Sequence, residues 1–221
     1  MVSIIVTAFG EPGNRYAQFT ARWWAAVLSM LPAPAEVVVA HTCPEPLGLL
    51  PGPATVRTVA VPCVKPDVVS MVNAAVEAAT QPWVSVIGVD DCYTPTALTD
   101  LVKSDAAGAE ILVWHQREVG SHVWNCYWNP DVLQRANTLA GSCPVRRDLW
   151  LRVGGPPRIA WSDWGFWLRC AKAGATAYQS DVVGVDFDAG RGHATFSGSA
   201  TFEQLAARDA EARAFAMELF L

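Results

Sequence analysis

The run Val84-Ser85-Val86-Ile87-Gly88-Val89 reads as a strand buried on both faces, and it ends in two adjacent carboxylates, Asp90 and Asp91. A turn follows, and a helix is expected to open at Pro95. A strand covered on both sides belongs to a layered α/β sheet, and in open sheets of this kind the carboxyl ends of the strands border the ligand crevice. Like charges side by side repel, so the pair needs water, hydrogen-bond donors or a cation. A divalent cation carrying a phosphorylated ligand meets that need, because hard cations take oxygen ligands. The competing reading is a polar turn in which Asp90 or Asp91 caps the next helix.

The pattern on either side of this strand is an alternation. Residues 2–9 (VSIIVTAF) and 36–41 (EVVVAH) read as buried strands, and 56–61 as a third strand. Between them, residues 15–31 place Tyr16, Phe19, Trp23, Val27 and Met30 at helical spacing, and residues 68–80 do the same with Val69, Val72, Val76 and Ala79. Such alternation implies right-handed crossovers and a parallel sheet. Further on, residues 111–114 read as a strand and 115–137 as an irregular aromatic stretch. A short helix is expected near Arg146–Arg152, closed by Gly154-Gly155-Pro156. Residues 163–173 form a helical pattern stopped by Gly174, ATAYQ and VVGVDF read as two short strands, and residues 202–220 as an amphipathic helix.

The chain has 221 residues, 52% of them hydrophobic, which suits one domain with an ample core. A net charge of −5 with scattered Lys and Arg argues against a nucleic-acid footprint. The apolar start lacks a basic lead and is broken by Gly10, Pro12 and Gly13, so it reads as a strand and not a signal peptide. No apolar run reaches the length of a membrane span. None of the six cysteines forms a C-x-x-C pair, and several lie in apolar stretches, as reduced thiols do; a cytoplasmic location is expected. Several of the ten tryptophans crowd residues 114–167, where rigid aromatic faces would suit sugar rings or simply fill a core.

Four segments, in order, carry a resemblance to the nucleotide-sugar-dependent glycosyltransferases of family 2. They are SIIVTAF, NAAVEAATQPWVSVIGVDD, GSCPVRRDLWLRVGG and SDWGFWLRCAKAG. The resemblance implies a single GT-A (Rossmann-like) α/β domain with a mostly parallel central sheet flanked by helices. Residues 1–100 would form the nucleotide-sugar half, 101–201 the acceptor half and 202–221 a C-terminal helix. Three positions depart from the family pattern: Gly88 stands where its D-x-D has a first acid, Ala40-His41-Thr42 where the second strand ends in acids, and Ser162 where a Glu precedes Asp163.

What the resemblance implies is an inverting transfer of a sugar from a nucleotide-diphosphate donor to a hydroxyl of a saccharide or protein, with Mn²⁺ or Mg²⁺. It places Thr7, Ala8, Phe9, Asn73, Asp90, Asp91 and Arg191 at the donor, and Asp90, Asp91 and His193 at the metal. Asp163 becomes the base, although an acid at a helix start is also what the helix dipole favours. Arg191 and His193 belong to the Gly-rich stretch 186–198, which would close over the diphosphate. Trp124, Trp128, Trp161 and Trp164 would face the acceptor. A degenerate sugar- or nucleotide-binding module without turnover and a nucleotidyltransferase are the alternatives; the latter would want a basic, Gly-rich phosphate loop after the first strand, where GEPGNR stands.

Overall fold

Unbroken runs of β-branched residues make the centre of the molecule. The computed structural model describes residues 1–8, 17–42, 55–61, 67–187 and 201–221 (backbone alone for residues 8, 17–20 and 202). β1 (Val2–Ala8), β2 (Glu36–His41), β3 (Thr55–Ala60) and β4 (Trp83–Gly88) pair in parallel in the order β3-β2-β1-β4. The connections carry α1 (Ala17–Ser29) and α2 (Val68–Ala78). Asp67 starts α2 by accepting a hydrogen bond from the Ser70 amide at 3.3 Å, and Met71, Val72, Ala75 and Val76 then bury one face against β1 and β2.

The sheet continues with changed direction. β8 (Val145–Arg146) lies antiparallel between β4 and β6 (Ile111–Glu118), β9 (Ala177–Phe187) runs parallel to β6, and β5 (Cys92–Tyr93) closes the edge antiparallel to β9. Gly184 in β9 is obligatory in packing terms, because the Trp114 indole occupies the space a Cβ would need. Around this half stand α3 (Leu101–Ala106), α4 (Pro130–Leu133), α5 (Arg147–Val153), α6 (Ser162–Lys172) and α7 (Phe202–Phe220). α6 buries Trp164, Phe166, Trp167, Leu168 and Cys170, and α7 packs across it.

Several expectations are corrected. Pro95 does not open a helix: residues 95–100 form successive turns, with Ala97, Thr99 and Leu101 amides bonded three residues back, and α3 begins only at Leu101. The stretch 115–137 is irregular only in part. β6 runs to Glu118, turns at Gly120 (φ 78°) and returns as β7 (Val123–Trp124), and Asn129 caps α4. The two short late strands are one, β9, with register shifts against β6. Cys92, Cys126, Cys143 and Cys170 are free thiols, the last three buried; Cys43 and Cys63 lie outside the described residues. Among the described residues no helix is long and apolar enough to cross a membrane.

Glu36, at the start of β2 and 2% exposed, ties the parallel half together. It accepts hydrogen bonds from the Ser3 hydroxyl of β1, the Thr80 amide at 2.8 Å and Arg57 Nε of β3 at 3.1 Å. Burial pushes its carboxyl up, and these donors outweigh burial and hold it below the usual glutamate range. A depressed carboxyl stabilises the fold at neutral pH, and that contribution is lost as pH falls through the lowered value. Hydrogen bonds to a charge contribute about 1.5–3 kcal/mol, so Glu36→Gln is expected to cost about 2 kcal/mol in urea unfolding at pH 7. The difference from the unchanged chain should shrink toward zero in strong acid.

Candidate active site

β1 and β4 are neighbours in the middle of the sheet, with Thr7 opposite Gly88 at their carboxyl ends. Beyond Gly88 the chain turns sharply: the Asp91 amide bonds back to the Gly88 carbonyl at 3.3 Å. That turn presents Asp90 and Asp91 at the strand end. The Arg22 guanidinium, from α1, donates to the main-chain carbonyl of Asp90 and so fixes the turn without consuming its carboxylate. The Asp90 side chain is 7% exposed and folds back over Gly88, where a Cβ would collide with its Oδ1. The missing first acid at position 88 therefore coincides with the space the second acid occupies.

The turn opens on a cavity of about 390 Å³. Its apolar lining includes Val68, Val69 and Val72 of α2 with Trp150 and Phe166. Its polar lining includes Thr7, Asp90 and Asp91, with Gln116 from β6 and Ser142, and Trp161, Ser162 and Asp163 complete it at the start of α6. Asp163 and the Asp90–Asp91 pair thus converge on the same space from different elements.

Asp163 is tightly held. Asn137 Nδ2 donates to its Oδ2 at 3.2 Å, and Asn137 is itself braced by the Leu139 amide, bonded to its Oδ1 at 3.2 Å. Gly141 lies close enough that a Cβ there would sit 3.3 Å from the Asp163 Cβ. Burial raises the proton affinity of Asp163 above its ordinary value, and backbone amides of Trp164 and Asp163 with the Asn137 amide offset it only in part. A carboxylate with raised proton affinity, lining a cavity, is a functional-site candidate and suits proton abstraction.

No protein-family model matches this chain, nor does any curated protein sequence. Solved structures do. Staphylococcus aureus TarS 1–349 in complex with UDP-GlcNAc superposes with a TM-score of 0.64 at 14% identity, over 99% of this chain and 70% of that one. The mannosyltransferase PcManGT from Pyrobaculum calidifontis, in complex with GDP-Man and Mn²⁺, gives 0.64 at 17% identity, over 98% and 64%. Glucosyl-3-phosphoglycerate synthase from Mycobacterium tuberculosis, with Mn²⁺, UDP-glucose and phosphoglyceric acid, gives 0.59 at 14% identity, over 99% and 79%. The chain has the GT-A glycosyltransferase fold. It spans 60% of one TarS 1–349 chain and 36% of a longer TarS chain.

Within this GT-A frame the sequence-derived residues separate. Thr7, Asp90, Asp91, Trp161 and Asp163 line the cavity. Ala8 ends β1 beside them, and Phe9, Arg191 and His193 lie outside the described residues. Asn73 is placed elsewhere: its Oδ1 accepts from Trp150 Nε1 at 2.9 Å, knitting α2 to α5. Trp164 is 3% exposed, and its indole N–H donates to the Leu133 carbonyl at 2.7 Å, so it is a core residue under α4 and not a cavity wall. Trp128 packs half-buried on the core. Trp124 is 48% exposed, with the His122 ring 4.4 Å away. It pairs directly with Gln116, and opposed residues of an antiparallel pair share a face, so Trp124 prolongs the Gln116 wall outward. Asn137, Gly141 and Gln116 were not singled out by sequence reading; their only signal is contact across the fold.

Among the described residues there is no cluster of three or more metal-ligating side chains. Two adjacent carboxylates nonetheless fit Mg²⁺ or Mn²⁺, which take one or two carboxylates and complete their shell with phosphate and water. They do not fit a closed structural site of the zinc kind.

Proposed function

We propose that the protein is a nucleotide-sugar-dependent glycosyltransferase that inverts the anomeric centre and uses Mn²⁺ or Mg²⁺. The observation that carries this reading is the convergence of Asp90 and Asp163 on one cavity at the carboxyl ends of parallel strands, in a GT-A fold. In it, Asp90 and Asp91 hold the cation, which would neutralise charge gathering on the departing nucleoside diphosphate. Thr7, at the end of β1, contacts the nucleotide, with Arg191 and His193 contributing from their own segment. Asp163 takes the proton of the acceptor hydroxyl on the face opposite the leaving group, and Asn137 keeps its carboxylate aimed. Trp161 and Trp124 offer flat apolar faces to a saccharide or protein acceptor. The apolar part of the cavity lining strengthens these charge interactions by lowering the local dielectric.

The test is calorimetry with UDP, GDP and dTDP and their sugars, with Mn²⁺ and after chelation, followed by an assay for sugar released to water. One nucleotide is expected to bind only with the metal, and slow donor hydrolysis to accompany it. Metal-dependent binding with no release at all would favour the non-catalytic binding module that Gly88 and Ser162 leave open.

A further inference from the structure

The N-cap residue of α6 supplies no capping side chain: Trp161 sits there with φ −102° and ψ 68°, and the first-turn amides of Asp163 and Trp164 bond the Asp163 carboxylate instead. This is the turn that bears Asp163. The two residues just before it are held from the far end of the chain. Asp209 Oδ1 of α7 accepts from Trp161 Nε1 at 2.9 Å, and Glu211 Oε2 accepts from the Ala160 main-chain amide at 3.2 Å. Both donor residues line the cavity, one and two residues before Ser162. α7 approaches closely enough to do this because Ala212 and Ala216, its contact residues, are small and buried. It is anchored further along α6 by Arg169 over Phe215 at 5.8 Å and Lys172 over Phe220 at 5.6 Å. Its own start is fixed by a capping box of Thr201 and Gln204.

We propose that Asp209 and Glu211 are positioning residues, and that α7 is a remote brace which fixes Trp161 and Ala160 and, through them, the orientation of Asp163; as a statement about catalysis this rests on the reading of Asp163 as the base. Two carboxylates near the amino end of α6 also suit its dipole. The consequence for rate is large because misplacing a reacting group by about 1 Å costs about 10²-fold.

The test compares Asp209→Ala/Glu211→Ala with Asp209→Asn/Glu211→Gln, which keeps an acceptor oxygen at each site. Two readouts are taken on each. One is hydrogen exchange of the Trp161 indole N–H and the Ala160 amide. The other is hydrolysis of the nucleotide sugar that binds, with its KM and kcat at saturating Mn²⁺. In the alanine variant, exchange at 160–161 is expected to quicken and kcat to fall about 10–100-fold with donor KM unchanged. The amide variant is expected to stay within about threefold of the unchanged chain on the same scale. If the double alanine variant does not fold, Asp209→Ala alone must show the same direction. Unaltered exchange, or a kcat unmoved in a variant whose exchange has quickened, overturns the proposal. Quickened exchange in a protein whose unchanged form releases no sugar leaves the brace standing and defeats the transferase reading instead.

Discussion

Asp90→Asn is expected to abolish metal-dependent nucleotide binding while leaving the fold intact. The carboxylate is nearly buried at the mouth of β4 and lines the cavity, and the bond that Arg22 gives to the turn goes to the Asp90 main chain. Removing one of two adjacent negative charges takes away a hard oxygen ligand and a repulsion together. Loss of an outer partner to a metal ligand already costs about 10–100-fold, so loss of the ligand itself should exceed about 100-fold in the Mn²⁺-dependent affinity. The melting temperature should hold or rise, because the like-charge repulsion is relieved. Calorimetry with the nucleoside diphosphate, with and without Mn²⁺, decides it. Equal affinity of variant and unchanged chain in the presence of Mn²⁺ would remove Asp90 from the metal site, and with it the transferase mechanism.

How much of this was written in the sequence depends on which contacts are local. β1, β2 and β4 were legible because buried parallel strands leave continuous β-branched runs, and α2 and α6 because their apolar residues recur at helical spacing. The acid pair was legible because it follows such a run directly. β6 was legible only as far as Trp114 and β7 not at all, since from His115 the strand leaves the core and its continuation, Gln-Arg-Glu, is polar and part-exposed although paired with β9 and β7. β9 looked like two strands because Ser180-Asp181 interrupts the pattern where the register against β6 shifts. Trp161 and Trp164 carry identical side chains three residues apart, and composition cannot say which meets solvent. A hydrogen bond to the Leu133 carbonyl draws one into the core, and one to Asp209 holds the other against the cavity. Asn137 and Gly141 around Asp163 left no trace at all, because they approach it only after α4 and α6 have packed.

Asp163→Asn is the second large effect, and its sign differs in stability and in rate. Burial raises the proton affinity of this carboxyl, so the folded state favours the protonated form and the ionised form carries a cost that grows as pH rises through the raised value. A neutral amide of the same shape escapes that cost. The variant should therefore match or exceed the unchanged chain in melting temperature at pH 7, the behaviour of a residue held for function against stability. Turnover should fall by about 10²–10⁴-fold, the usual contribution of a positioned base, while Mn²⁺-dependent donor binding survives. In the unchanged chain, kcat/KM should decline on the acid side at a pH above the ordinary aspartate range, because the base works only when ionised and its proton is held more tightly than in water. That acid limb should vanish from the residual activity of the variant. Retained turnover in Asp163→Asn, or an acid limb that persists unchanged in it, would assign the proton transfer to another group.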